Sequence, residues 1–188
     1  MYLVWVIDIN DEDGRHVKNK ASIRKIPLHP QLIELGFLNY IDDIKNNFPT
    51  EKNIFPYLTP NIYGKLGDSV SKWFARYLYA LNIVDSNKVF HSFRSTANNA
   101  LKTAGISEEI RCEILGHEYD TIDNRYSEVQ KVKWLLDHVT PKLTFNKIDL
   151  QSLTYIDGSF IPLISKLLKD KLSKSKHEGI KRQLSSLV

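Results

Sequence analysis

Gly105 and Gly116 cut the stretch from His91 to Tyr126 into short pieces, and that punctuation constrains the fold more than any bulk property. Before Gly105, the apolar residues Phe93, Ala97, Ala100, Leu101 and Ala104 recur at helical intervals, so one side of an amphipathic helix is committed to a core. Glycine enters the left-handed conformation at little cost, which makes Gly105 a natural helix end. Ser107 then stands as an N-cap, with Glu108 and Glu109 in the positive first turn of a second helix. Ile110, Ile114 and Leu115 face inward until Gly116 ends that helix in turn. Asp120 or Thr121 starts a third short helix, in which Ile122 and Tyr126 share a face. Ser127 and Gln130 have capping-box spacing for a fourth, containing Val129, Val132, Leu135 and Leu136, so Tyr126 falls at a junction between helices.

The polar residues of this stretch form a pattern. His91 and Arg94 are three apart, which puts them side by side on a helix and within reach of one phosphate. His117 follows Arg94 by twenty-three residues, inside Leu115-Gly116-His117, and Tyr126 follows His117 by nine, inside Arg125-Tyr126.

The rest of the chain reads as α+β, mainly α. Residues 2–9, 15–17 and 23–28 are expected as a three-stranded antiparallel sheet near the N-terminus, with a turn at 11–14 and a polar tip at 18–22. Pro30 fits the first position of a helix carrying Leu32, Ile33, Phe37, Ile41 and Ile44. Residues 46–61, rich in Asn, Pro and Thr, read as a loop. Asp68 caps a helix whose stripe of Val70, Trp73, Phe74, Tyr77, Leu78 and Leu81 reads as core. Pro162 opens a last amphipathic helix with Leu163, Ile164, Leu167, Leu168 and Leu172, and residues 169–188 form a basic end without a core pattern. The division expected is a domain over residues 1–140 and a C-terminal extension over 141–188.

Charge and composition narrow the functional classes. With 42% apolar residues the chain has material for a core, and no window approaches the eighteen consecutive apolar residues of a membrane span. The N-terminus lacks the basic and apolar regions of a signal peptide, and Cys112 is the single cysteine, so no internal disulfide forms and a cytoplasmic setting is expected. Residues 1–130 hold 15 Lys and Arg against 17 Asp and Glu, net −2, whereas residues 131–188 hold 11 against 5, net +6. A polyanionic partner would therefore be gripped by particular cations and by the C-terminal end rather than by a broad field. His91 and His117 lack a metal-ligand pattern such as His-Glu-x-x-His, and no metal or cofactor is expected.

His91-x-x-Arg94, Leu115-Gly116-His117 and Arg125-Tyr126, in that order and at these intervals, resemble the boxes of the tyrosine recombinase (phage integrase) family, over roughly residues 1–138. The resemblance implies a helical catalytic domain that cleaves and rejoins double-stranded DNA, in site-specific recombination or integration of a mobile element, without a cofactor. It assigns Tyr126 as nucleophile, Arg94 and His117 as donors to the phosphate oxygens, and His91 as the base that helps take the phenol proton. Lys18, in Lys-x-Lys-x-Ser-x-Arg-x-x-Pro-Leu, is similar to the family's β-hairpin lysine, a general acid for the leaving 5′-oxygen; Lys20 is the competing candidate.

The pattern departs from the family at one point. The family's first arginine, on a helix before the hairpin, and its N-terminal DNA-clamping domain have no match, since Lys18 lies only seventeen residues from Met1. Neither Arg15 nor Arg24 takes that place simply. The expectation is the C-terminal part of an integrase, weak or inactive by itself. Either strand transfer survives, or the chain is a non-catalytic DNA-binding or recombinase-interacting remnant. The segment 141–188 is the expected site of homo-oligomer contacts on DNA.

Overall fold

The computed structural model describes residues 3–119, 128–144 and 148–185, with residues 128–130 and 175–185 described by their backbone alone. The described chain is mainly helical. In order it forms β1 (Val6–Ile9), β2 (Arg24–Pro27), α1 (Pro30–Glu34), α2 (Phe37–Asn47), α3 (Gly67–Ala80), α4 (Ser92–Thr103), α5 (Glu108–Leu115), α6 (Glu128–His138) and α7 (Ile161–Ser185). None of these helices is long and apolar enough to cross a membrane.

The sheet has two strands among the described residues, not the three expected. β1 and β2 pair antiparallel, from Val6 opposite Pro27 to Ile9 opposite Arg24. Residues 15–17 are not a strand because local turn chemistry claims their start. The Arg15 N–H donates to Glu12 O at 3.0 Å, and its side chain donates to Glu12 O at 2.9 Å and to Asp13 at 3.0 Å. Lys20–Ser22 then closes a single 3₁₀ turn that leads into β2.

The compact units do not follow a cut at residue 140. One unit comprises Met1–Ile33 with Phe74–Asp149, and the other Glu34–Trp73 with Leu150–Val188. In the first, Leu101 of α4, Ile106, and Leu135 and Val139 of the α6 region make a closed core, with Ile110 and Ile114 of α5 packed on it. Leu101 is 0% exposed. The Arg111 side chain ties α4 to α5 by donating to Asn98 Oδ1 at 2.8 Å and to Ile106 O at 3.2 Å. Ser107 holds the N-cap position as expected, although its hydroxyl makes no capping bond. An apolar cavity of about 180 Å³ lies among Ile7, Ile26, Leu32 and Leu135, with His29 at its edge.

In the second unit, α2 and α7 bury Tyr40, Ile44 and Ile164. Here the single helix expected after Pro30 is broken. Gly36, at φ +82°, separates α1 from α2, and a Cβ there would come within 3.0 Å of Tyr155 Cβ. The Tyr155 N–H donates to Leu35 O at 2.8 Å, so the break is where another segment joins. The loop expected over 46–61 begins only at 48, because α2 runs to Asn47, and it is irregular but pinned: Tyr40 Oη donates to Ile54 O at 2.7 Å and Lys171 Nζ to Pro56 O at 3.0 Å.

One further expectation fails. The α3 stripe is not a sealed core: Trp73, Tyr77 and Leu81 are exposed, while Val70, Phe74 and Leu78 are half-buried. The basic end continues the last helix, and the α7 backbone is helical to Ser185.

Candidate functional site

The candidate site forms where α5 ends. A helix leaves its last four carbonyls without intrahelical partners, and here each of the four finds one. Gly116 turns the chain at φ +69°, and the bonds His117 N–H to Cys112 O (2.8 Å) and Gly116 N–H to Glu113 O (3.3 Å) form a Schellman closure. The remaining two carbonyls are capped by arginines from elsewhere in the chain. Arg24 of β2 donates through Nε to Ile114 O at 3.0 Å, and Arg94 of α4 donates through Nη2 to Leu115 O. Guanidinium groups suit this place, since the carbonyl end of a helix carries partial negative charge.

Each element that delivers a side chain here does so for a local reason. Arg94 lies in the first turn of α4, three residues after His91 at the N-cap, and its N–H donates to His91 O at 3.0 Å. Leu101, further along the same helix, fixes α4 in the core. Phe93 is not on that core side as expected: it is 60% exposed, and its ring meets Phe74 and Phe90 at 5.3 and 5.8 Å. Lys18, exposed at the polar tip, precedes a polar chain that anchors the tip beside His117. Ser22 Oγ donates to Asn19 Oδ1 at 2.6 Å, and Asn19 Nδ2 donates to Glu118 Oε1 at 2.9 Å.

The electrostatics record this convergence. The His117 ring is held below its ordinary value of 6.5, first by desolvation and then by the positive charges of Arg94, Arg24, His91 and Lys18. Arg24 is likewise lowered by burial and by the neighbouring charge of Arg94. Three of the sequence candidates, Lys18, His91 and Arg94, thus stand close enough for their charge to act on the fourth, His117. It is Lys18, of the two candidate lysines, whose charge acts on His117. The fifth candidate, Tyr126, lies outside the described residues, as do Arg125, the short helix expected from Asp120 or Thr121, and Ser127 of the capping box.

Arg24 is the member that the motif reading missed. Strand alternation gave no signal for it, since Arg24, Lys25 and Ile26 are all half-buried and the buried Pro27 falls on the other face of β2. Chemically, a cluster of two guanidiniums, a lysine and two histidines suits an oxyanion with several oxygens, such as a phosphodiester. Among the described residues, no group of three His, Cys, Asp or Glu is placed to hold a metal ion. No family model matches the chain, and no curated protein or solved structure matches it either.

Proposed function

We propose that the chain carries the phosphate-handling site of a tyrosine recombinase of the phage integrase type, acting on double-stranded DNA by cleavage and rejoining through a 3′-phosphotyrosine. One observation carries this reading. Lys18 and the pair His91 and Arg94, picked from two separated stretches of sequence by their resemblance to the family, bring their charge to His117 at the end of α5, where Arg94 caps Leu115 O and the tip after Lys18 is tied to Glu118 through Asn19.

The chemistry assigned to them is metal-free phosphoryl transfer. The Tyr126 phenolate oxygen attacks the scissile phosphorus, with His91 helping to take its proton. Arg94 and His117 hold the non-bridging oxygens as charge builds on them. The bond from phosphorus to the 5′-oxygen breaks, and Lys18 supplies that oxygen with a proton. Attack by another strand's 5′-hydroxyl on the phosphotyrosine reverses the step and completes recombination. DNA binding would place the protein on the nucleoid in the cytoplasm, and the extension 141–188, with its basic end on α7, is the segment assigned to self-association on DNA.

A second reading draws on the helix caps. Arg24 and Arg94 both close α5, so selection for stability alone would keep them in a non-catalytic, DNA-binding remnant. Incubation with nicked half-site DNA separates the two. Strand transfer gives a covalent protein–DNA adduct that Tyr126→Phe abolishes; DNA binding with no adduct in either protein decides for the remnant.

A further inference from the structure

Arg24 is bonded at both ends of a gap that the sequence leaves open. Its Nη1 donates to Ser22 O at 2.6 Å, in the turn just before β2, and its Nε donates to Ile114 O at 3.0 Å, ninety residues away. The guanidinium also passes close to the one residue of the α5 end that has no side chain. A Cβ on Gly116 would sit 2.8 Å from Arg24 Cζ and 3.3 Å from Ala21 O. Gly116 therefore answers two demands: a backbone at φ +69°, and room for the guanidinium to pass. His117 is the next residue, and its backbone N–H is already fixed on Cys112 O.

We infer that Arg24 is a positioning residue for the phosphate site: it ties the turn at Ser22 to the carbonyl end of α5 and so sets where His117 stands. This rests on the phosphate-transfer reading above. The same guanidinium brings a positive charge to His117, alongside Arg94 of α4, His91 of the α4 N-cap and Lys18 of the tip, with Glu118 on Asn19 as the neighbouring carboxylate. An anion entering the cluster offsets these cations and raises the His117 pKa.

The two contributions, geometry and charge, separate by substitution in the full chain. The probe is inorganic phosphate, titrated while the His117 ring resonances are followed by NMR over a range of pH. Arg24→Gln removes the charge and the fork, so the His117 pKa rises in the absence of phosphate and phosphate affinity falls roughly tenfold, the scale of one charged donor lost from alignment. Arg24→Lys keeps the charge without the two-ended bond: the pKa stays near that of the parent while affinity falls as in Arg24→Gln. Gly116→Ala loses affinity in the parent background and little further in the Arg24→Gln background, because the group it displaces is gone.

Parent-like phosphate affinity in both Arg24 variants overturns the inference, as does a parent His117 that ignores phosphate. Should Arg24→Gln fail to fold, Arg24→Lys carries the test by itself. The function reading fails independently: an intact phosphate response with no DNA adduct leaves Arg24 in its positioning role and removes strand transfer. An adduct formed equally well by Arg24→Lys, with phosphate affinity unchanged, leaves strand transfer and removes the role of Arg24.

Discussion

Around Tyr40 the polar groups end on partners of the complementary kind, whereas around His117 the neighbours of each cation include further cations. The Tyr40 ring packs on Phe55 and Tyr155 at 5.9 and 5.6 Å, and its hydroxyl donates to Ile54 O. Beside it, the Asp43 carboxylate accepts from Tyr155 Oη and from the Gly158 N–H, each at 2.7 Å. Burial pushes both Tyr40 and Tyr155 up to about 12, with the nearby phenols of Tyr57 and Tyr155 adding to the first and the Asp43 carboxylate to the second, so both stay neutral at any working pH. At the end of α5 the caps satisfy the backbone, but the cations gathered there still repel one another. In the first region the charges and hydrogen bonds are paired off within the fold; in the second, like charges stay together, and an anion such as the proposed phosphate would relieve their repulsion.

The largest expected effect breaks the first half of this contrast. Tyr40 is 7% exposed at the centre of its aromatic cluster, and Tyr40→Ala should lower unfolding free energy by about 3–5 kcal/mol in urea titrations. A loss under about 1 kcal/mol, the size of a single hydrogen bond, would show that the surrounding rings hold without it.

A smaller effect sharpens the second half. Because the folded pKa of His117 lies below 6.5, the unfolded chain binds the proton more readily. Stability should therefore be full above pH 6.5 and decline as pH falls through the interval down to the folded pKa, by little, since the ring is exposed. His117→Gln should remove that decline, seen by comparing denaturation midpoints at pH 8 and pH 5. An unchanged slope would mean that the cations do not reach His117.

Asp43 gives the smallest effect, with the opposite sense. Its pKa is lowered from 3.8 by the hydrogen bonds from Tyr155 and Gly158, so its contribution is present above pH 3.8 and is lost as pH falls through the lower folded value. Asp43→Asn should flatten that acid limb while barely moving the neutral midpoint. Thermal melts between pH 2 and pH 5 would show it, and an acid limb as steep as the parent's would exclude the carboxylate as its source.

Sequence periodicity was most informative where signals were local. Gly105 and Gly116 do stand just past α4 and α5, because a left-handed glycine is a requirement of the backbone itself. The break at Gly36 escaped the same logic, since apolar residues continue in helical spacing on both sides and the reason for the break, Tyr155, arrives from more than a hundred residues later. Residues 15–17 passed for a strand by composition, while Asp13 and Glu12 engage Arg15 in a turn. The α3 stripe was legible as amphipathic but not as exposed, because periodicity says which side is apolar and not what covers it. At the site, motif spacing picked out Lys18, His91, Arg94 and His117, and the first three bring their charge to His117. Arg24 was not picked out, because its meaning lies in a carbonyl ninety residues away.

That distant carbonyl has a bearing on how the chain folds. α5 has only eight residues, and helices under about twelve are marginal by themselves in water. Two of its four terminal carbonyls are closed by residues from β2 and α4. The helix that presents His117 is therefore finished only when the N-terminal hairpin has docked, which makes two remote stretches of chain a single cooperative event and gives this part of the fold a high contact order.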